Sequence, residues 1–109
     1  MAKPHAISNQ VVSLAPLGAA LTDTRTHALL KARQLEVVRV VLRQGETLRE
    51  HTVPGEITVQ CLEGRFQMQT SLGAQTMQAG DWVHLAGNEP HALLAEEDCS
   101  ALVTICLQG

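Results

Sequence analysis

The chain predicts an all-β fold, a single sandwich or barrel of short strands, and three observations lead there. Short stretches alternate apolar and polar residues with a period of two, the signature of half-buried strands. Turn residues recur between them at Gly45, Pro54-Gly55, Gly64, Gly73, Gly80 and Gly87-Asn88, a spacing of roughly ten residues that suits a sandwich or barrel. Strands alternating with long helices, the mark of a parallel βαβ sheet, are absent. A length of 109 residues fits one domain. Apolar residues make up 45% of the chain, with one Trp, one Phe and no Tyr, so the core is aliphatic and β-branched, as strands prefer.

Residues 1–25 form an irregular N-terminal arm, because Pro4, Pro16 and Gly18 interrupt any regular element. Leu14, Leu17 and Leu21 mark a short helical turn or a strand edge within it. The arm is expected to pack on the barrel exterior or on a neighbouring subunit. Residues 26–109 form the barrel. Its strands are expected at 26–32, at 36–42 with Val38, Val40 and Leu42 on one face and Arg39 on the other, and at 57–62 with Ile57, Val59 and Cys61 opposite Thr58 and Gln60. Further strands follow at 66–70, where Phe66 and Met68 alternate with glutamines, at 74–78 after a turn, and at 82–86, 91–95 and 100–107. Arg39 is expected among the solvated or paired surface charges, and Asp81 is expected to cap its turn.

Composition excludes several classes of function. Eight basic and 11 acidic residues leave a formal charge of −3, which gives no attraction to phosphate backbones, so no nucleic-acid partner is expected. Apolar stretches are too short to span a bilayer, and no signal-peptide pattern opens the chain. The expectation is a cytoplasmic protein with no membrane partner. Cys61, Cys99 and Cys106 are an odd number without close spacing and read as reduced thiols.

Two glycine-and-histidine stretches carry a more specific signal. Gly45 is followed by five residues and then His51, and the stretch closes at Gly64 through the strand end Cys61-Leu62-Glu63. Gly80-Asp81 opens a second stretch that runs through Trp82–Leu85 and a turn to Pro90-His91. Together these resemble the two motifs of small single-domain cupins of the RmlC-like type. The resemblance implies a double-stranded β-helix, a jelly-roll barrel of antiparallel strands, with the short arm outside it. It also implies that His51 and His91 occupy metal-ligand positions. The pattern is incomplete. The family's second histidine falls on Val53, and its glutamate falls on Ile57, with Glu56 one residue away. A one-residue shift along a strand turns a side chain to the opposite face, so Glu56 is expected outside while Ile57, Val59 and Cys61 point inward. Cys61 lies four residues beyond Ile57, about 13 Å along a strand, too far to complete the site.

The barrel is therefore expected to enclose a pocket for a small molecule, lined by His51, Val53, Ile57, Val59, Cys61, His91 and Leu93. Its metal site is degenerate. No firmly held cofactor is implied, and His51 and His91 together suit at most a weakly bound divalent metal (Zn, Fe, Mn or Ni). The alternative reading is a metal-dependent cupin enzyme, a dioxygenase, isomerase or decarboxylase of a small polar compound, built on the same two histidines. Open sheet edges predict a homodimer. His84 is expected in a surface or structural role, and Trp82 at the barrel wall or a subunit interface.

Overall fold

The structure is a computed structural model that describes residues 5–107. Residues 1–4 of the expected arm and 108–109 of the expected barrel lie outside the described residues. The described chain forms nine strands: β1 (His27–Lys31), β2 (Leu35–Leu42), β3 (Thr47–His51), β4 (Ile57–Glu63), β5 (Arg65–Thr70), β6 (Gly73–Gln78), β7 (Trp82–Leu85), β8 (His91–Ala95) and β9 (Cys99–Cys106). They build a five-stranded sheet in the order β1-β2-β9-β4-β7 and a four-stranded sheet in the order β3-β8-β5-β6. The pairs β2–β9, β3–β8, β4–β7 and β5–β6 are all antiparallel. They nest inside one another along the chain, as if one long hairpin had been rolled up, which is the jelly-roll arrangement.

The alternation in the sequence explains which faces meet. Ile57, Val59 and Cys61 of β4, Phe66 and Met68 of β5, and Leu93 and Ala95 of β8 share one closed core with Val40, Leu42 and Leu85. Glu56 and Gln69 turn to solvent. Eight strands coincide with the stretches that alternate, to within one or two residues. The ninth, β3, is an exposed edge strand of sequence TLREH, whose polar residues carry no alternation.

Two features of the outer surface depart from expectation. In β2, Arg39, Val40, Val41 and Leu42 are buried consecutively, so both faces of this strand are covered. The outer cover is the N-terminal arm. Its 3₁₀ turn (Gly18–Asp23) buries Leu21, and the backbone N–H groups of Leu17 and Gly18 donate to the Glu63 carboxylate. Arg39, expected among the solvated or paired surface charges, is paired but only 4% exposed. Its Nη2 lies 3.1 Å from Glu63 Oε2, and it also donates to Ser100 Oγ and to the Ala15 carbonyl. Alternation alone places Arg39 outside the barrel correctly, but it carries no information about a segment lying over that face.

Gly64 makes the β4–β5 turn with φ +77°, a left-handed conformation that favours glycine. A Cβ here would also collide with the Asp98 carbonyl and with Cys99. Asp81 accepts the Gln78 N–H through its carboxylate at 2.9 Å and so caps the β6–β7 turn.

Candidate functional site

The two histidines of the glycine motifs meet at one rim of the barrel. His91 opens β8 on the same face as Leu93 and is 4% exposed. His51 ends β3 directly opposite it in the antiparallel register. A bulge makes this pairing useful. Leu48 pairs with Leu93 and His51 pairs with His91, so Arg49 and Glu50 together face the single residue Ala92. Leu48 packs against the core. In a regular strand His51, three residues later, would turn outward, and the extra residue brings it back to the inner face. The ring centroids lie 4.2 Å apart with the planes tilted by 57°.

Each ring is also held in the same way by its own backbone. His51 Nδ1 is 3.0 Å from the Arg49 carbonyl oxygen, and His91 Nδ1 is 2.9 Å from the Glu89 carbonyl oxygen. A carbonyl has no proton to give, so Nδ1–H is the donor in both rings. In the neutral form of either ring, Nε2 then keeps its lone pair for something else. The result is a pair of matched imidazoles, one buried and one exposed, each with one nitrogen spent and one available.

The surroundings separate the expected pocket residues into two groups. Val53 is partly buried and packs against the core near this rim, where its carbonyl accepts the Asn88 N–H. Ile57, Val59, Cys61 and Leu93 lie inside the packed core. Cys61 is wholly buried, with its thiol donating to the carbonyls of Glu63 and Gly64. Burial pushes that thiol up to about 11 and the Cys99 thiol up to about 12, so neither is a ready thiolate.

The acidic groups do not complete a metal shell. Glu56 is exposed, and its carboxylate accepts from His84 Nε2 at 2.6 Å, which also accounts for His84 as a surface residue. Among the described residues no group of three or more His, Cys, Asp or Glu could hold a metal ion. The donor set is two imidazole nitrogens, against the three protein ligands of a catalytic zinc site or the two histidines and a carboxylate of non-haem iron sites. It does not fit a metal held by the protein alone.

Glu89 is a member of the site that sequence reasoning missed. It sits on the loop before β8, where its carbonyl orients His91. Its carboxylate accepts the Ser71 N–H at 3.0 Å and so ties the β5–β6 hairpin to this rim. Hydrogen bonds from Ser71, with a smaller contribution from nearby His91, hold the Glu89 carboxyl below its ordinary range. Beside it a cavity of about 130 Å³ opens between the β5–β6 hairpin and β7, lined by Met68, Thr70, Leu72, Gln75, His84 and Glu89 among others. The signal in the sequence was the position of Glu89 two residues before His91, the offset at which a backbone carbonyl meets Nδ1.

No protein-family model matches the chain, and no curated protein matches it. Solved structures do resemble it. A conserved protein of unknown function from Streptococcus pyogenes superimposes with a TM-score of 0.76 at 18% identity, over 100% of this chain and 96% of that one. An RmlC-like cupin protein from Desulfovibrio desulfuricans gives 0.69 at 21% identity, over 97% of both chains. The salicylate 1,2-dioxygenase from Pseudaminobacter salicylatoxidans gives 0.63 at 19% identity, over 66% of this chain and 21% of the enzyme. At these identities the likeness is one of fold.

Proposed function

We propose that this chain, a small cupin-type jelly-roll domain, is a small-molecule binding module whose ligand is gripped at the rim by His51 and His91. The observation that carries the reading is the pair of backbone-oriented rings 4.2 Å apart, each with Nε2 unpartnered among the described residues. Two adjacent acceptors suit a ligand that offers a hydroxyl or amine hydrogen. Val53 supplies an apolar wall, with Ile57, Val59, Cys61 and Leu93 forming the packed floor and interior behind it. A ligand of mixed character, polar at one end and apolar at the other, fits such a place. Within the described residues no helix is long and apolar enough to cross a membrane, and the reading places the protein in the cytoplasm. A homodimer belongs to the same reading. Trp82 is 62% exposed on β7, an edge strand of the five-stranded sheet, where a second copy would cover it.

A second reading has one observation in its favour. A histidine whose Nδ1–H is held by a backbone carbonyl presents Nε2 as metal ligands do. A divalent metal here would need the remaining donors from water or from a chelating ligand, as in a metal-dependent enzyme acting on a small polar compound. Elemental analysis of protein purified without chelator, beside the His51→Ala/His91→Ala variant, separates the two. The binding module predicts no stoichiometric metal in either sample, and ligand-observed NMR hits from a library of hydroxylated and amino compounds that vanish in the double variant. Stoichiometric metal in the parent that disappears in the variant would replace the first reading by the second.

A further inference from the structure

The outer face of the five-stranded sheet borders two adjoining cavities away from the histidine pair. Between the N-terminal arm and β1–β2 lies a cavity of about 510 Å³, walled by Val12, Ala15, Leu17, His27, Leu29 and Arg39 among others. That size falls within the range of about 300–1,000 Å³ typical of small-molecule sites. A neighbouring cavity of about 190 Å³ shares Ala6, Val12 and Leu29 with it and is otherwise walled by Leu14, Leu30, Val37 and Leu102. One compartment therefore has polar groups in its wall, and the adjoining one is lined by aliphatic side chains.

The hydrogen-bond inventory of Arg39 says what the polar compartment lacks. A guanidinium has five N–H donors and no acceptor. Nε donates to Ser100 Oγ at 3.3 Å, and Nη2 is shared among Ser100 Oγ, Glu63 Oε2 and the Ala15 carbonyl. Among the described residues Nη1 has no partner, although Arg39 is 4% exposed. Among the described residues no buried side-chain nitrogen or oxygen lacks a partner, so Nη1 is reached by solvent rather than sealed in, and Arg39 lines the cavity. His27 borders it too. Its Nδ1 donates to the Arg25 carbonyl at 2.7 Å, which leaves Nε2 over.

We infer that this outer cavity binds an amphipathic carboxylate. The acid group accepts from Arg39 Nη1, and a short aliphatic chain fills the compartment walled by Leu14, Leu30 and Val37. Glu63 does not compete for Nη1, because its carboxylate is already served by Leu17 N–H, Gly18 N–H, Ser100 and Arg39 Nη2. With Nε and Nη2 already engaged, Nη1 offers one charge-assisted contact, which an ionised carboxylate oxygen accepts more strongly than a neutral acceptor does.

Octanoate is the probe, titrated into the full chain by calorimetry and by ¹H–¹⁵N correlation spectra. Saturable 1:1 binding is expected, with shifts at Val12, Leu29 and Arg39. Octylamine, which offers no acceptor to Nη1, is expected not to compete. Arg39→Gln should weaken octanoate by about 10- to 100-fold, the range for a lost hydrogen bond to a charged group. Because that substitution also leaves Glu63 without its ion pair, Val12→Trp is the companion. It fills the wall shared by the two compartments from the arm side, leaves the ion pair intact, and should abolish binding. The His51→Ala/His91→Ala variant should bind octanoate like the parent, so failure at the rim and failure here are distinguishable. Absence of saturable binding to the parent, or unchanged affinity in Val12→Trp, overturns the inference.

Discussion

The chain holds two polar clusters on opposite sheets, and they use their valences differently. Under the arm, the Glu63 carboxylate accepts from two backbone N–H groups, the Ser100 hydroxyl and Arg39. Nearly every donor and acceptor there is spent within the protein, and the cluster fastens a segment with little regular structure of its own to the outside of the barrel. At the rim, His51 and His91 each spend one nitrogen on their own backbone and keep the other. The first cluster is an anchor with one guanidinium nitrogen to spare, whereas the second is a pair of oriented groups with half their bonding unassigned. Free valence, more than burial, marks where a ligand is expected.

The largest effect should come from breaking the anchor. Glu63→Ala leaves Arg39, with a side chain only 5% exposed, without its counter-charge. Removing one partner of a buried ion pair typically costs about 3–5 kcal/mol. Urea unfolding should show that loss, and proteolysis should cut the released arm between residues 10 and 20 before it cuts the barrel. A loss below about 1 kcal/mol, within the range of exposed pairs, would mean that the cluster is a surface pair and that the contrast with the rim fails.

Acid tests the same anchor more gently. Burial on its own would raise the Glu63 carboxyl, but hydrogen bonds from Ser100, Leu17 N–H, Gly18 N–H and Arg39 outweigh it and hold the group below its ordinary value. A carboxyl depressed in the folded state contributes stability that is complete above its unfolded pKa of about 4.3. That stability is lost as pH falls through the lower folded value. The melting temperature of the parent should therefore hold from pH 7 to 5 and then fall more steeply than that of Glu63→Gln, which has no carboxylate to protonate. Parallel acid limbs in the two proteins would count against the assignment.

The barrel was legible because its inner faces are written in the sequence with a period of two. Ile57, Val59 and Cys61, or Phe66 and Met68, need no other information to find the core. The glycines at 45, 64 and 80 give the turns, and the placement of His51 and His91 after them gave the rim. What stayed hidden depends on relations that no single strand encodes. TLREH is an edge strand with little to bury, so β3 left no alternation, and the bulge that turns His51 inward exists only in its pairing with β8. The burial of Arg39 depends on an arm more than 20 residues away in sequence. Glu63, read as part of a strand end, acquires its role only when Ser100 and Leu17 arrive beside it.

The smallest effects belong to the rim, and the two histidines should differ there. His91 is buried, so His91→Ala removes a packed ring and leaves the Glu89 carbonyl without its donor. A buried side chain lost together with its hydrogen bond typically costs about 0.5–3 kcal/mol, and equilibrium unfolding should register a loss in that range. His51 makes the same kind of hydrogen bond, to Arg49, but from an exposed position. Exposed substitutions generally stay within about 0.5 kcal/mol, so His51→Ala should unfold with the parent while losing the small-molecule response at the rim. That combination, binding lost without stability lost, is the behaviour of a residue kept for its free nitrogen. If His51→Ala instead destabilised the barrel as much as His91→Ala, the two rings would be a structural pair closing the end of the core, and the rim would join the arm cluster as an anchor.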